Sequence, residues 1–413
     1  HRLIRRQRQM CIRDREKPPT LLKNPPGTEP YQILTEGYSI PSYKEIDPTI
    51  LMAITFPIMF GLMFGDIGHG LILLVASILG YIAKVKKIKF GGMIDWWIKA
   101  SPMMIICSIS SIFFGILYGE FLGYAIYAEP WYLPLAQPFA PLRDALAGLF
   151  RIYDFDEGIL ILTDPTYPKY AELPPNGPIF FSPYHEPWVL FVLSVIIGSM
   201  HITAGLIIGI INNIRERKYK TAIFDKAIWL WFYLGLVWLV FNRGLTFTNW
   251  FATISLIDPA FLLFILPIIV MIFGKMIVEG ATEGVFGTFE VLVASISNTI
   301  SYARILALNM VHAGFAKTFI NLGAPGIYYG HTAAEAGHII VELTPGYFMN
   351  MFIGLFLIMV LESLLSFINT LRLHWVEWFQ KFYKGDGYRF TPFKIKRRYT
   401  IPVKLLSTYT VVK

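Results

Sequence analysis

Charge is what this chain of 413 residues has least of: Asp, Glu, Lys and Arg make up only 15% of it, where an average soluble domain carries roughly a quarter. That shortage excludes a disordered chain and argues against a soluble enzyme. Cysteine is nearly absent too. Cys11 and Cys107 cannot build a disulfide framework, no Cys/His spacing marks a zinc site, and Cys107 lies in an apolar run where packing is its expected role. Nucleotide-binding signatures are missing: there is no GxxxxGK[ST], and Gly274-Lys275 has Ile269 where the first glycine should stand. The chain is therefore expected to carry no ATP-hydrolysing site, metal or cofactor of its own. Neither a Ser/His/Asp set nor HExxH supports a membrane-embedded hydrolase. The opening HRLIRRQRQMCIRDREK is basic without an apolar core, so it does not read as a signal peptide. It suits the end of a cytosolic helical arm whose upstream part is missing.

What the chain has instead is apolar length. Hydrophobic residues are 55% of it and aromatics 16%, with a mean hydropathy of +0.52. They fall in uninterrupted runs at about 50–83, 98–127, 187–213, 226–242, 255–275, 281–322 and 346–384. A spanning helix needs about 20 residues, so most runs fit one crossing and three are too long. The first long run holds Gly65-Asp66-Ile67-Gly68-His69-Gly70 at its middle, with eight basic residues between Arg2 and Lys23 before it and Lys84, Lys86, Lys87 and Lys89 after it. Both ends therefore favour the cytoplasm, which requires a hairpin turning at the glycines. Alternation then places the long loop 128–186 outside, Arg215 to Lys226 inside, 323–345 outside and the basic tail inside. The net charge of +8 thus reports topology and not nucleic-acid binding. The expected fold is all-α: a polytopic membrane protein of about eight transmembrane helices, the last two long and tilted, with both termini cytoplasmic. Its expected divisions are a tail or linker at 1–49, an ion-translocation domain at 50–384, and a cytosolic tail at 385–413.

The last two runs, roughly 63 and 58 Å long if fully helical, hold the most costly residues. One contains Glu290, Asn298, Arg304, Asn309 and His312, the other Glu362, Ser366, Asn369, Arg372 and His374. An ionisable group at the bilayer centre costs at least about 2.5–3.5 kcal/mol, so it normally faces protein, water or an ion path. At about 100° per residue, Glu290, Ser297, Ser301, Arg304 and His312 fall within roughly 40° of one direction. Glu362, Ser366, Asn369 and Arg372 form a looser stripe. Arginine stays protonated, so it can expel a proton from a passing acid or block a leak, while Glu and His can relay. The bland alternative pairs Arg304 and Arg372 with Glu362 or Glu290 to stabilise the bundle. Asp66 and His69 read as turn or capping residues, and Glu120 is left open. The spacings Gly61-x-x-x-Gly65 and Gly115-x-x-x-Gly119-x-x-x-Gly123 read as close helix packing.

Four segments resemble the membrane half of V-type ATPase subunit a, called subunit I in archaeal and bacterial A/V-type ATP synthases. They are PPTLLKN…IPSYKEIDPT (18–49), FPIMFGLMFGDIGHG (56–70), SNTISYARILALNMVHAG (297–314) and LRLHWVEWFQKFYKGDGYRFTPF (371–393). The resemblance implies a stator subunit whose two aqueous half-channels load and unload ions on a rotating proteolipid c/K ring. It implies that Arg304 and Arg372 are the essential arginines, that Glu290 and Glu362 are channel-lining acids, and that His312 is a nearby polar position. Ser297, Ser301, Ser366 and Asn369 are secondary lining. The implied partners are the proteolipid ring, the lipid bilayer, and peripheral stalk subunits joined through the missing N-terminal domain. Leu306 stands where the eukaryotic pattern has Trp, and the outer loops are short; both lean toward the plasma membrane of an archaeon or bacterium. The competing expectation is a secondary transporter with a midplane Arg/Glu substrate site. That class shows inverted repeats with matching helix breaks, and only one glycine-rich break, at 65–70, is present.

Overall fold

The computed structural model describes residues 18–25, 27–88, 90–125, 187–243, 258–323 and 345–390. The expectations for the N-terminal arm, the outer loop 128–186, the loop 323–345 and the basic tail fall wholly or largely outside these residues. A short surface helix, α1 (Glu29–Tyr38), precedes α2 (Thr49–Met63), α3 (Ile67–Val85) and α4 (Gly92–Tyr118). A two-stranded hairpin of β1 (Glu120–Phe121) and β2 (Tyr124–Ala125) follows. Then come α5 (Pro187–Arg215), α6 (Tyr219–Arg243, with a π-helical turn at Ala222–Ala227) and α7 (Leu266–Glu279, entered through a π-helical turn at Phe261–Ile265). The chain continues through α8 (Ala281–Ser301), α9 (Arg304–Gly323) and α10 (Pro345–Arg372). Six spans are long and apolar enough to cross a membrane, and α2 and the helix at Phe261–Ile277 are shorter apolar helices. The protein is an all-α polytopic membrane protein.

The first long run is two helices. Gly61 of α2 lies against Ser110 and Phe114, and Gly65 against Tyr118, whereas Gly70 of α3 meets Ile112 and Gly80 meets Ser101 and Trp97. Contacts that advance along α4 in one case and retreat in the other make α2 and α3 antiparallel arms packed on different sides of α4. The close approach needs glycine: a Cβ on Gly115 would stand 2.4 Å from the Ile67 backbone nitrogen. Backbone freed by a break inside a bilayer must find partners within the protein. Here the Leu62 carbonyl accepts from the Tyr118 hydroxyl and the Asn309 amide, both at 3.2 Å, and Ser111 donates to the Phe64 carbonyl.

The other two long runs are also interrupted. Between α8 and α9 the backbone tightens at Tyr302–Ala303, where Tyr302, Ala303 and Ile305 bond three residues back instead of four. After Arg372, α10 widens into a π-helical turn, Leu373–Trp378, then tightens through Phe379–Lys381 and ends. Each overlong run is thus a helix with a change of pitch beside its arginine, which is how more than 30 residues stay helical without one uninterrupted rod.

Both arginine-bearing spans lie at the edge of the fold. In the most apolar window of Gly284–Ala316 22% of residues are buried, and in that of Phe352–Lys381 33%, against 50% for Ile94–Tyr118 and Val189–Arg215. At one end of the bundle Asn212 of α5 reaches both the Phe382 carbonyl and the Ile46 amide, and Lys384 bonds Glu216 at 2.6 Å. Residues near 46, 216 and 384 therefore share one side, consistent with the charge alternation. At the far end of α6, Arg243 pairs with Asp258 at 2.5 Å.

Candidate functional site

Two polar layers lie between the edge spans and α2–α5. The first surrounds Arg304. The tight turn at Tyr302–Ala303 places Tyr302 inward, its ring packed on Gly198 of α5, where any side chain would clash. The Tyr302 hydroxyl stands 2.8 Å from Nδ1 of His201. His201 stacks on Trp378 with ring centroids 4.5 Å apart and meets His374 edge-on at 4.9 Å. His374 Nδ1 donates to the Thr370 carbonyl and its Nε2 lies 2.8 Å from the Thr55 hydroxyl. Arg304, one residue past the turn, points the other way. Its Nη1 donates to Oε1 of Glu377 at 3.0 Å, and its Nη2 is 3.4 Å from the Ser301 hydroxyl. The guanidinium is 24% exposed while Glu377 is 2% exposed. An open groove of about 680 Å³ runs alongside, lined in part by Ser297, Ser301 and Arg304.

The second layer sits about 12 Å along α9, eight residues past Arg304. Asp66 caps α3 by accepting from the His69 backbone N–H at 2.9 Å. Its carboxylate also accepts from the N–H groups of Leu122 (2.9 Å) and Gly123 (2.6 Å), the two turn residues of the β-hairpin. Both have positive φ, 50° and 76°, which points successive N–H groups at one anion. His312 bridges this cap to α10: Nδ1 bonds the Glu362 carboxylate, and Nε2 lies 3.4 Å from Oδ2 of Asp66. The rings of His69 and His312 meet edge-on at 5.1 Å. Asp66, His69, Glu120, His312 and Glu362 are all buried.

The residues singled out from the sequence therefore separate into groups. Ser297, Ser301 and Arg304 share the groove, and His312 meets Glu362 in the second layer. Glu290 is exposed on α8 and Arg372 on α10; neither has a hydrogen bond or ion pair among the described residues. Ser366 is buried, its carbonyl bonded by Thr370, and Asn369 bonds the Leu365 carbonyl. Arg304 is indeed ion-paired, but with Glu377 and not with Glu362 or Glu290.

Family comparison adds an independent measure. The sequence matches the V-type ATPase 116kDa subunit family over residues 5–134 and 273–395, which include the Asp66 cap and both arginine-bearing spans. The chain belongs to the V-type ATPase 116kDa subunit family. It is similar to the A-type ATP synthase subunit I of Methanocaldococcus jannaschii, 29% identical over 392 residues, covering 93% of this chain and 50% of that protein. The A-type ATP synthase subunit I of Saccharolobus solfataricus is 30% identical over 418 residues, covering 92% of this chain and 55% of that one. The vacuolar proton translocating ATPase 100 kDa subunit of Dictyostelium discoideum is 24% identical over 475 residues, covering 94% and 54%. The chain spans about half the length of these curated relatives.

Within this family member, three site residues escaped the sequence reading. Glu377 lies five positions past Arg372, inside the π-helical turn. His201 is the lone ionisable residue in the interior of α5, so its insertion cost was a usable signal. Asp66 was read as a cap, which it is, but its contact with His312, 246 residues away, has no local signature.

Proposed function

We propose that this chain is the membrane half of a stator subunit of a rotary A/V-type ATPase or ATP synthase. Arg304 and Arg372 face a ring of partner carboxylates, and two aqueous half-channels load and unload protons or Na⁺ on that ring. Family membership supports the assignment to a rotary machine. The observation that carries the finer reading is Arg304 itself: a guanidinium at the edge of an open, mostly apolar groove on the least covered span. An arginine facing only lipid would be costly there, so a partner bearing negative charge is the natural occupant of that face.

Each residue then has a definite task. Arg304, held by Glu377, supplies fixed positive charge that lowers the proton affinity of an arriving carboxylic acid. Arg372, exposed on the neighbouring span, extends that field. The buried row Asp66–His312–Glu362 offers groups that hold and pass a proton on the side of the α2–α3 tip. Ser297 and Ser301, with Glu290 further along the same helix, line the approach from the opposite side. Lipid and peripheral stalk subunits are the remaining partners.

The test is coupled ion transport in membrane vesicles carrying Arg304→Ala. Transport should vanish while the subunit still assembles, and a variant that pumps normally would overturn the reading. Purification separates it from a secondary transporter: the wild-type chain should bring a proteolipid ring and stalk subunits with it, whereas a carrier runs alone.

A further inference from the structure

Three lysines gather at the end of the bundle where Asn212 meets the Phe382 carbonyl. Lys226 belongs to the π-helical turn Ala222–Ala227 of α6, Lys275 to α7, and Lys381 to the tight turn after α10. They lie deep for cations: Lys381 is 3% exposed and Lys275 6%, and the Lys226 side chain is 17% exposed. Two glycines make the room. A Cβ on Gly209 of α5 would stand 2.9 Å from the Lys381 carbonyl and 3.6 Å from Cδ of Lys226. Gly274 packs α7 onto Phe224, which brings Lys275 beside the π-helical turn.

The cluster has one acid for three bases. Asp225 is shared, with Oδ2 3.4 Å from Nζ of Lys226 and Oδ1 3.4 Å from Nζ of Lys275. Lys275 also donates to the Gly287 carbonyl at 3.2 Å. Lys381 has no hydrogen bond or ion pair among the described residues. Its ammonium sits over Trp229, 4.4 Å from the ring centroid, and Lys226 sits over the same ring at 5.0 Å. An indole face attracts a cation but carries no net charge to neutralise two. Glu377 is within Coulombic reach of Lys381, yet it is already paired with Arg304 at 3.0 Å. Lys226, Lys275, Lys381 and Arg304 against Asp225 and Glu377 therefore leave two uncompensated positive charges. Buried cations without a counter-charge are costly, and Lys226 and Lys381 also repel each other. An anion between them removes both penalties.

The surroundings select the anion. Lysine binds phosphate as a point charge, and basic pockets between membrane helices take phosphorylated lipid headgroups. Beside the lysines, Ile223 of the π-helical turn is 55% exposed, and Phe273 and Ile277 of α7 are 62% and 70% exposed. These offer acyl chains an apolar wall that a free anion has no use for. We propose that Lys226 and Lys381, beside Trp229, bind the phosphate of an anionic membrane lipid. Lys275 and Asp225 hold Lys226 in place. The bound lipid would tie α6 to the turn after α10, next to the segment that carries Glu377. Nothing in this requires the rotary reading, since lipid binding is measured without transport.

The experiment uses the full-length subunit in its native complex, reconstituted in phosphatidylcholine nanodiscs. The probe is phosphatidic acid with a photoreactive diazirine on one acyl chain. The same probe with a phosphatidylcholine headgroup measures background, and cross-linked peptides are mapped by mass spectrometry. Phosphatidic acid should label the peptides holding Ile223, Phe273 and Ile277 above that background. Lys226→Met and Lys381→Met keep the apolar stems and should each lower the excess at least about fivefold. Lys226→Arg should preserve it, and so should Lys220→Met on the exposed start of α6. Thermal melts establish folding, and Lys226→Met alone decides if Lys381→Met does not fold. Unlabelled phosphatidic acid should displace the probe and inorganic phosphate should not. Equal labelling by the two headgroups, or an undiminished excess in the folded Met variants, would overturn the site. Displacement by inorganic phosphate would overturn the lipid as its occupant.

Discussion

Arg304 and Glu377 stand 3.0 Å apart across 73 residues of sequence, an ion pair joining the first turn of α9 to the π-helical turn after α10. The acid is buried and the base half-open, so the pair fixes one end of the guanidinium while its other nitrogen remains at the groove. Glu377→Gln keeps the shape and removes the charge. A loss of about 1.5–3 kcal/mol is expected, the usual worth of a hydrogen bond to a charged group. Arg304→Gln combined with Glu377→Gln should recover part of that loss. Thermal unfolding in detergent checks both, and additive losses in the double variant would refute direct coupling.

The Gly115 contact predicts a steep packing cost. A methyl group there would meet the Ile67 nitrogen at 2.4 Å and the Asp66 carbonyl carbon at 2.6 Å. These are backbone atoms that no rotamer change can move. Gly115→Ala should destabilise by at least about 1–3 kcal/mol. Gly314→Ala on α9 is the control: nothing lies within 4 Å of the new methyl, so a gain of about 0.5–1 kcal/mol is expected. Thermal melts of the two variants should move in opposite directions.

Asp66 gives a third prediction. Asp66→Ala orphans three N–H donors, those of His69, Leu122 and Gly123, and should cost at least about 3 kcal/mol. Asp66→Asn retains one acceptor oxygen and should cost less. Hydrogen exchange at Leu122 and Gly123 reads the loss directly; unchanged protection of both amides in Asp66→Ala would contradict the cap.

Outside the membrane spans, Glu216 links the end of α5 to the segment after α10. Partial burial pushes its carboxyl up, but hydrogen bonds and charge from Lys384 and Lys218 outweigh that and hold it below the ordinary carboxylate value. A lowered pKa contributes stability that is complete above the unfolded value and is lost as pH falls through the folded one. Lys384 and Lys218 are well exposed, so the effect should stay under about 1 kcal/mol. Hydrogen exchange around residues 212–218 should rise on acidification in the wild type. In Glu216→Gln it should be raised already at neutral pH and should lack the acid-dependent increase; an unchanged acid response would rule this contact out.

Much of this architecture was legible in the sequence because lipid imposes a simple code. Runs of about 20 apolar residues reported the spans. Cost marked Arg304, His312 and Glu362, since few other reasons place such groups in an apolar run. The pitch changes at Tyr302–Ala303 and Leu373–Trp378 were not legible: no proline or glycine stands at either, and a constant 100° per residue carries the stripe straight past them. Glu377 falls near Ser366 at that constant pitch, but nothing local shows that it meets Arg304, 73 residues away. The Asp66–His69–His312 group was invisible in the sequence because two of its residues are near neighbours and the third lies on a distant helix. Only the folded chain counts them together.

The Asp66 cap also constrains how the chain can be made. Two of its three backbone donors are synthesised 56 and 57 residues after it. Until residue 123 has emerged and α4 has settled, the carboxylate at the α2–α3 tip lacks those two donors. The α2–α3 tip is therefore completed only when α4 and the hairpin after it pack against the cap.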